Sequence, residues 1–218
     1  GVFSPFRRLN FCLVYITRFL MVCGFYTCEE YMLFYVRDRC GAGSGYGIVS
    51  PYVDDTSAAS LMFLILLCSA AVGAFASGKV SDMVGKKNRR GRIAVVFVSG
   101  AGLSICAIIF GVVDKYELIL LISIVFGLCY GAFESVDYAL AADVLENPED
   151  VARDMSIWMT SMYFPIVIAS PTSGVLLDYF NEFGVAYLNY STFGYVVIFF
   201  VSATYFALSS LFVLFVRI

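Results

Sequence analysis

The chain has 218 residues, of which 61% are hydrophobic and 14% are charged, and its formal net charge is −3. A soluble domain carries roughly 45–50% apolar and about 25% charged residues, so this composition excludes a soluble globule and predicts a protein embedded in a bilayer. The net negative charge, without an extended basic face, excludes nucleic acid as an expected partner.

Histidine is absent, which removes His-activated nucleophiles and His-bound zinc or haem from the possible chemistry. The seven cysteines are odd in number and form no C-x-x-C pair, and six of them fall within apolar stretches. This pattern is typical of small buried side chains rather than of a disulfide framework or a metal site. We therefore expect no cofactor, no metal and no enzymatic activity.

Apolar runs long enough to cross a bilayer, which takes about 20 helical residues, predict six transmembrane helices. The fold class is an all-α membrane protein, a six-helix bundle in a single domain over residues 1–218. The predicted spans cover residues 9–36, 56–77, 93–113, 118–144, 155–177 and 190–216. The Gly-, Ser- and Pro-rich stretch 38–55 has no periodic pattern and predicts a flexible loop.

Basic residues concentrate on one side of the predicted membrane. Ten Lys and Arg lie in the N-terminal stretch, the connections after the second and fourth spans and the C-terminal stretch, against three on the opposite side. The positive-inside rule then predicts a multi-pass protein with both termini in the cytoplasm, in a plasma or organelle membrane. The first span is too long and too charged for a signal peptide, and the chain does not begin with Met, so we expect a piece of a longer chain or a processed form.

The connection between the second and third spans carries an ordered motif. It reads Gly78-Lys-Val-Ser-Asp82-Met-Val-Gly85-Lys86-Lys87, which is the pattern G-x-x-x-D-x-x-G-[KR]-[KR]. A cytoplasmic loop that is merely basic explains the charges but not the spacing of the glycines and Asp82. The pattern resembles the loop motif of the major facilitator superfamily of transporters.

Two further stretches carry the same resemblance. The connection Ala142-Asp143-Val-Leu-Glu-Asn-Pro148-Glu-Asp-Val-Ala-Arg153-Asp154 is similar to the acidic, proline and arginine loop after the fourth helix of either half of such transporters. The stretches around Arg18 and Glu134 resemble the seventh and tenth helices of a branch near the sugar and glycoside symporters. The resemblance implies a C-terminal six-helix half, with an N-terminal six-helix half as its partner. An N-terminal half is the alternative, because the loop motif is better preserved than second-half copies usually are.

The resemblance also implies a cytoplasmic gate, a charge cluster that latches the outward-open state. Carried over by position, the gate comprises Gly78, Asp82, Gly85, Lys86, Lys87, Asp143 and Arg153.

Ionisable side chains inside the predicted spans mark the candidate site, since each costs a few kcal/mol or more in the bilayer. Arg18 and Glu29 are eleven residues apart and share one helix face, and Glu134 and Asp137 share a face with Tyr130. At ~1.5 Å per residue, Arg18 and Glu134 both lie about 13 Å from the cytoplasmic end. We therefore expect Arg18 to pair with Glu134, with Asp137 one turn nearer the cytoplasm.

These residues predict a secondary transporter that moves a small polar solute, such as a sugar, by proton-coupled alternating access. The substrate and proton pathway would comprise Arg18, Glu134, Asp137, Glu29, Tyr130 and Tyr26. Trp158 fits either stacking against a sugar ring or an anchor at the membrane interface.

Three alternatives remain open. The ion pair could serve helix packing alone. The chain could be a non-transporting receptor or assembly subunit with a transporter-like fold. An intramembrane protease is the least favoured, because carboxylates at i and i+3 of one helix point the same way rather than across a shared water.

Overall fold

A computed structural model describes residues 4–44, 46–47, 54–85, 90–145 and 150–216, without the side chains at positions 4, 42–44, 82, 84, 85 and 90. Over these ranges the chain is helical and contains no β-strand. The six long helices are α1 (Leu9–Glu29), α2 (Asp55–Gly85), α3 (Arg90–Val112), α4 (Tyr116–Val144), α5 (Val151–Phe183) and α6 (Phe193–Val213). Each contains a stretch long and apolar enough to cross a membrane, which confirms the predicted fold class.

The bundle has two ends that differ in their charged residues. The basic end carries Arg8, Arg92 and Arg153, which precede or begin α1, α3 and α5. The opposite end carries Arg39 and Asp114, which follow α1 and α3.

The first predicted span is interrupted near the opposite end. Helix α1 ends at Glu29, the backbone leaves helical geometry at Tyr31 (φ −104°, ψ 4°), and the helix resumes over Met32–Tyr35 and continues as a π-helical segment over Val36–Ser44. The predicted flexible loop 38–55 is therefore wrong for residues 38–44, while residues 45 and 48–53 lie outside the described ranges.

Tertiary contacts hold this interrupted helix in place. The Tyr31 hydroxyl donates to the Ser170 carbonyl of α5 at 3.0 Å. The Tyr35 hydroxyl lies within hydrogen-bond distance of the Phe110 and Val113 carbonyls at the end of α3 (2.6 and 2.8 Å). These anchors come from segments far away in the sequence, which is why local composition gives no sign of them.

The last connection also differs from the predicted span. Helix α5 continues through Pro165 and Pro171, and a π-helical turn over Gly184–Leu188 follows it. That turn ends at Asn189, whose φ of 52° is a left-handed conformation that asparagine tolerates better than most residues. Helix α6 therefore begins at Phe193 rather than at residue 190.

Helices α2 and α4 pack against each other through glycines. A Cβ atom added to Gly131 would overlap the Ala70 carbonyl oxygen, and one added to Gly127 would overlap the Leu66 carbonyl oxygen. Gly73 on α2 meets the backbone at Leu128 in the same way. The backbones therefore approach closely, as small residues allow in membrane helices.

Helix α6 packs between α1 and α3 and is joined to both by serine hydroxyls. Ser202 and Ser209 donate to the Gly24 and Thr17 carbonyls of α1 at 2.6 and 2.8 Å. Ser104 of α3 donates to the Ala203 carbonyl at 2.9 Å. In the hydrocarbon layer such bonds replace those that water would otherwise make.

Candidate functional site

The candidate site lies where α1 and α4 approach each other inside the bundle. Arg18 of α1 and Asp137 of α4 both have fully buried side chains. The Arg18 Nη1 group donates to Asp137 Oδ2 at 2.7 Å. A charge buried in a membrane helix is tolerated only when it is paired, so this bond accounts for the presence of Arg18 in an apolar helix.

Arg18 has a second carboxylate partner on α4, one helical turn before Asp137. The distance from Arg18 Nη2 to Glu134 Oε2 is 3.4 Å, and the Tyr138 hydroxyl lies 3.3 Å from the same nitrogen. The Glu134 side chain is 26% exposed, whereas Asp137 is fully buried. The predicted contact of Arg18 with Glu134 is present, but Asp137, expected one turn away, is the nearer partner.

Two aromatic rings lie beside the guanidinium. The Arg18 Cζ atom is 4.5 Å from the centre of the Trp158 ring and 4.7 Å from that of Tyr138. Trp158 is 1% exposed, so the alternative that placed it at the membrane interface is wrong. The two rings add cation–π attraction to the ion pair, worth about 2 kcal/mol or more for a desolvated cation.

Three buried polar atoms of this cluster have hydrogen-bonding capacity to spare. Arg18 Nε, Asp137 Oδ1 and Trp158 Nε1 have no partner among the described protein atoms. Asp137 therefore holds Arg18 through Oδ2 while its second oxygen can accept a hydrogen bond or a proton. The cluster contains one cation and two carboxylates, so its net charge changes from −1 to zero when one proton binds.

The predicted aromatic residues extend the site from Glu134 towards the opposite end. Tyr130 stacks on Phe25 with ring centres 4.3 Å apart, and Tyr26 meets Phe25 edge-on at 5.6 Å. Tyr26 lies within electrostatic range of both Glu134 and Glu29. Glu29 is only partly exposed near the end of α1, about 16 Å along the helix from Arg18. No contact between Glu29 and Arg18 is among the hydrogen bonds and ion pairs of the described residues.

A second set of charge pairs lies at the basic end. Arg8 Nη2 contacts Asp154 Oδ2 at 3.0 Å, and Arg153 contacts Asp150 and Asp154 at 2.9 Å each. The N-terminal segment is thereby tied to the start of α5, a contact that sequence reasoning missed. The only sign of this contact in the sequence was the mixture of acidic and basic residues around Arg153.

The predicted cytoplasmic gate is assembled only in part. Asp143 pairs with Arg92 of α3 at 2.5 Å rather than with Arg153. A Cβ atom on Gly78 would lie 3.1 Å from the Ser135 hydroxyl of α4, so Gly78 faces α4 as expected for close packing. Lys86 and Lys87, with the side-chain surroundings of Asp82 and Gly85, lie outside the described residues.

Most of the chain matches one known protein family. The family model described as the Major Facilitator Superfamily matches residues 38–218. The chain belongs to the Major Facilitator Superfamily. No curated protein and no solved structure gave a significant match.

Membership makes this facilitator a multi-pass integral membrane transporter, because the family consists of transporters rather than enzymes. The matched range contains α2 to α6 with Glu134 and Asp137, and begins after α1, which carries Arg18. Among the described residues of this facilitator, no three His, Cys, Asp or Glu side chains come together as metal ligands.

The facilitator also has a buried cation that sequence reasoning missed, at the opposite end. Arg39, with a side chain 3% exposed, pairs with Asp114 and donates to the Gly111 carbonyl at 2.8 Å and to the Tyr190 hydroxyl. These partners belong to the C-terminal end of α3 and to the connection before α6. No periodicity marks Arg39, because its partners come from separate parts of the chain.

Burial at this end also affects a neighbouring thiol. Cys40 lies in the π-helical segment, outside the membrane-spanning helices, and is fully buried. This burial raises the pKa of the Cys40 thiol to about 11, with Arg39 acting in the opposite direction.

Proposed function

We propose that this facilitator chain is the C-terminal half of a secondary transporter that moves a small polar solute, such as a sugar, by proton-coupled alternating access. The single observation that carries the proposal is the guanidinium of Arg18 shared by buried Asp137 and partly exposed Glu134. An N-terminal six-helix half supplies the other wall of the substrate path. The excess of basic residues at one end favours a cytoplasmic location for both termini.

The charge of this cluster supports the proposed proton coupling. Two ionised carboxylates facing one guanidinium leave an uncompensated negative charge in a region of low dielectric constant, which favours uptake of one proton. A proton on either acid weakens the hold of that acid on Arg18, while the other acid keeps its bond to the guanidinium. The proton thus changes the number of donors that Arg18 offers to a substrate.

The surroundings of Glu134 favour a solute with both hydroxyl groups and an apolar face. Charged groups and hydroxyls bind polar substituents strongly, and the half-buried rings of Tyr26 and Tyr130 offer an apolar face with a polar tip. A sugar ring combines these two surfaces. Arg18 and Glu134 would bind the hydroxyls, while the tyrosines would pack against the ring.

The test is uptake by the full-length protein in proteoliposomes with an imposed pH gradient, on a panel of labelled sugars, amino acids and nucleosides. Wild-type protein should accumulate at least one sugar against its concentration gradient. Glu134→Gln should abolish this accumulation and retain exchange of internal for external sugar, since Gln keeps the hydrogen bonds but cannot release a proton.

The matched control is Glu182→Gln, the same change at an exposed residue near the end of α5. It should leave accumulation unchanged. Undiminished uphill uptake in Glu134→Gln would refute proton coupling through this residue. Transport of none of the sugars would refute the substrate class, and transport of no solute at all would favour a receptor or assembly role.

A further inference from the structure

An open groove of 410 Å³ lies between α3 and α4, separate from the Arg18 site. Its volume falls within the roughly 300–1,000 Å³ typical of small-molecule sites. Apart from the buried Ser99, the residues that line it are apolar or small: Ala94, Val95 and Val98 of α3, and Leu128, Cys129 and Ala132 of α4.

The groove lies on the side of α4 that points away from the Arg18 cluster. At ~100° per residue, its α4 residues fall on nearly the opposite face of the helix from Glu134 and Asp137. Val98 is 66% exposed and Leu128 is 37% exposed. An apolar face of a membrane-spanning helix that is not turned towards the transport path contacts the hydrocarbon chains of lipids.

Two close contacts between α3 and α4 bound the groove. At the basic end, Arg92 Nη1 contacts Asp143 Oδ2 at 2.5 Å and the Ala139 carbonyl at 3.2 Å. Deeper in the bundle, a Cβ atom on Gly102 would lie 2.6 Å from Cys129 Sγ, so the helices meet again there. The groove between these contacts, called the slot below, runs along both helices, as an extended acyl chain does.

The depth of the slot matches the first part of an acyl chain. Ala94 is two residues beyond Arg92, and Leu128 is eleven residues from Ala139, the residue whose carbonyl Arg92 contacts. At ~1.5 Å per residue, the slot extends from about 3 to about 16 Å beyond Arg92. Half of a bilayer's hydrocarbon layer is about 15 Å thick, so a lipid with its headgroup level with Arg92 has an acyl chain at this depth.

Charge at the mouth of the slot favours one class of lipid. The Arg92 side chain is 20% exposed, and its Nε has no hydrogen-bond partner among the described atoms. In the sequence, five of the seven residues from 86 to 92 are basic. Basic clusters next to a transmembrane helix attract anionic headgroups.

We propose that the slot between α3 and α4 binds one acyl chain of an anionic phospholipid, whose headgroup lies beside Arg92. The lipid fills the space that α3 and α4 leave open between their two contacts. Because α4 also carries Glu134 and Asp137 on its other face, the bound chain supports the helix that presents both acids.

The test is photolabelling of the full-length protein in nanodiscs. Phosphatidylglycerol and phosphatidylcholine probes carry a diazirine on the acyl chain, and labelled peptides are mapped by mass spectrometry. We expect label on residues 94–99 and 128–132, about fivefold stronger for phosphatidylglycerol, as one basic residue near the surface gives. Ala132→Phe should reduce the label from both probes several-fold by filling the slot.

The matched control for bulk is Val72→Phe, which adds the same ring to an exposed position on α2 and should leave the label unchanged. Two charge variants act in opposite directions: Arg92→Gln should lower the preference for phosphatidylglycerol about fivefold, and Asp143→Asn should raise it. These variants test the headgroup, and Ala132→Phe tests the acyl chain, so misfolding of one leaves the other informative.

Three results would overturn the proposal. Equal labelling of the slot and of the exposed face of α2 would mean bulk lipid alone. An unlabelled slot would mean that protein covers it. A preference for phosphatidylglycerol that neither charge variant changes would remove the role of Arg92.

Discussion

Separate and joint removal of the Arg18 and Asp137 charges distinguishes a structural role from a transport role. Both side chains are fully buried and joined at 2.7 Å, so each single variant, Arg18→Leu or Asp137→Leu, removes one partner of a buried ion pair. Breaking such a pair costs about 3–5 kcal/mol, whereas replacing both partners by apolar residues is often neutral or stabilising. We therefore expect a strong loss of stability in each single variant and recovery in the double variant.

The magnitudes differ between the two single variants for a structural reason. Asp137→Leu leaves Arg18 with Glu134 at 3.4 Å and with the ring faces of Trp158 and Tyr138. Arg18→Leu leaves Asp137 with no cation, but a carboxyl can take up a proton and become neutral. At neutral pH Arg18→Leu should therefore cost about 3–5 kcal/mol and Asp137→Leu less, and the loss for Arg18→Leu should decrease at low pH.

The assay is a double-mutant cycle of chemical unfolding in detergent, followed by uptake in proteoliposomes. The double variant should recover most of the unfolding free energy and still transport no sugar. A double variant as unstable as the sum of the two singles would refute the ion pair as a stability element. A double variant that accumulates sugar at the wild-type rate would refute its role in transport.

Three other predictions follow from the packing. Gly131→Ala should lower the free energy of unfolding by about 1–3 kcal/mol more than Gly78→Ala does. The alanine Cβ at position 131 would overlap the backbone of α2, whereas the one at position 78 would meet only a serine hydroxyl. Equal losses would contradict the close approach of α2 and α4. In chemical unfolding, Trp158→Leu should destabilise the protein by about 2 kcal/mol more than Trp158→Phe, because phenylalanine keeps a ring over Arg18. Similar losses in the two variants would mean that the ring face contributes nothing to stability. Cys40, with a pKa of about 11, should react with iodoacetamide at pH 8 about a hundredfold more slowly than in SDS-unfolded protein. The rate should rise with pH, because only the thiolate reacts. A rate equal to that of the unfolded protein would show that the thiol is exposed.

The sequence by itself determined the six helices and the height of the charged residues along them. Both properties are local: a run of apolar residues predicts a span, and a constant rise per residue places Arg18 level with Glu134 and one turn from Asp137. Because α1 and α4 cross the same layer in opposite directions, equal depth was enough to predict which charges could meet. The basic loop motif indicated the family for a similar reason, since its residues lie within one short stretch.

Only the tertiary structure decided which partners are nearest and which segments are ordered. Asp137 rather than Glu134 lies closest to Arg18, and Trp158 lies beside the guanidinium rather than at an interface, because these choices depend on how α1, α4 and α5 rotate against one another. The helical residues 38–44 include Arg39, whose partners come from two remote segments, the end of α3 and the connection before α6. Periodicity describes one helix at a time, whereas these contacts exist only when several helices have packed.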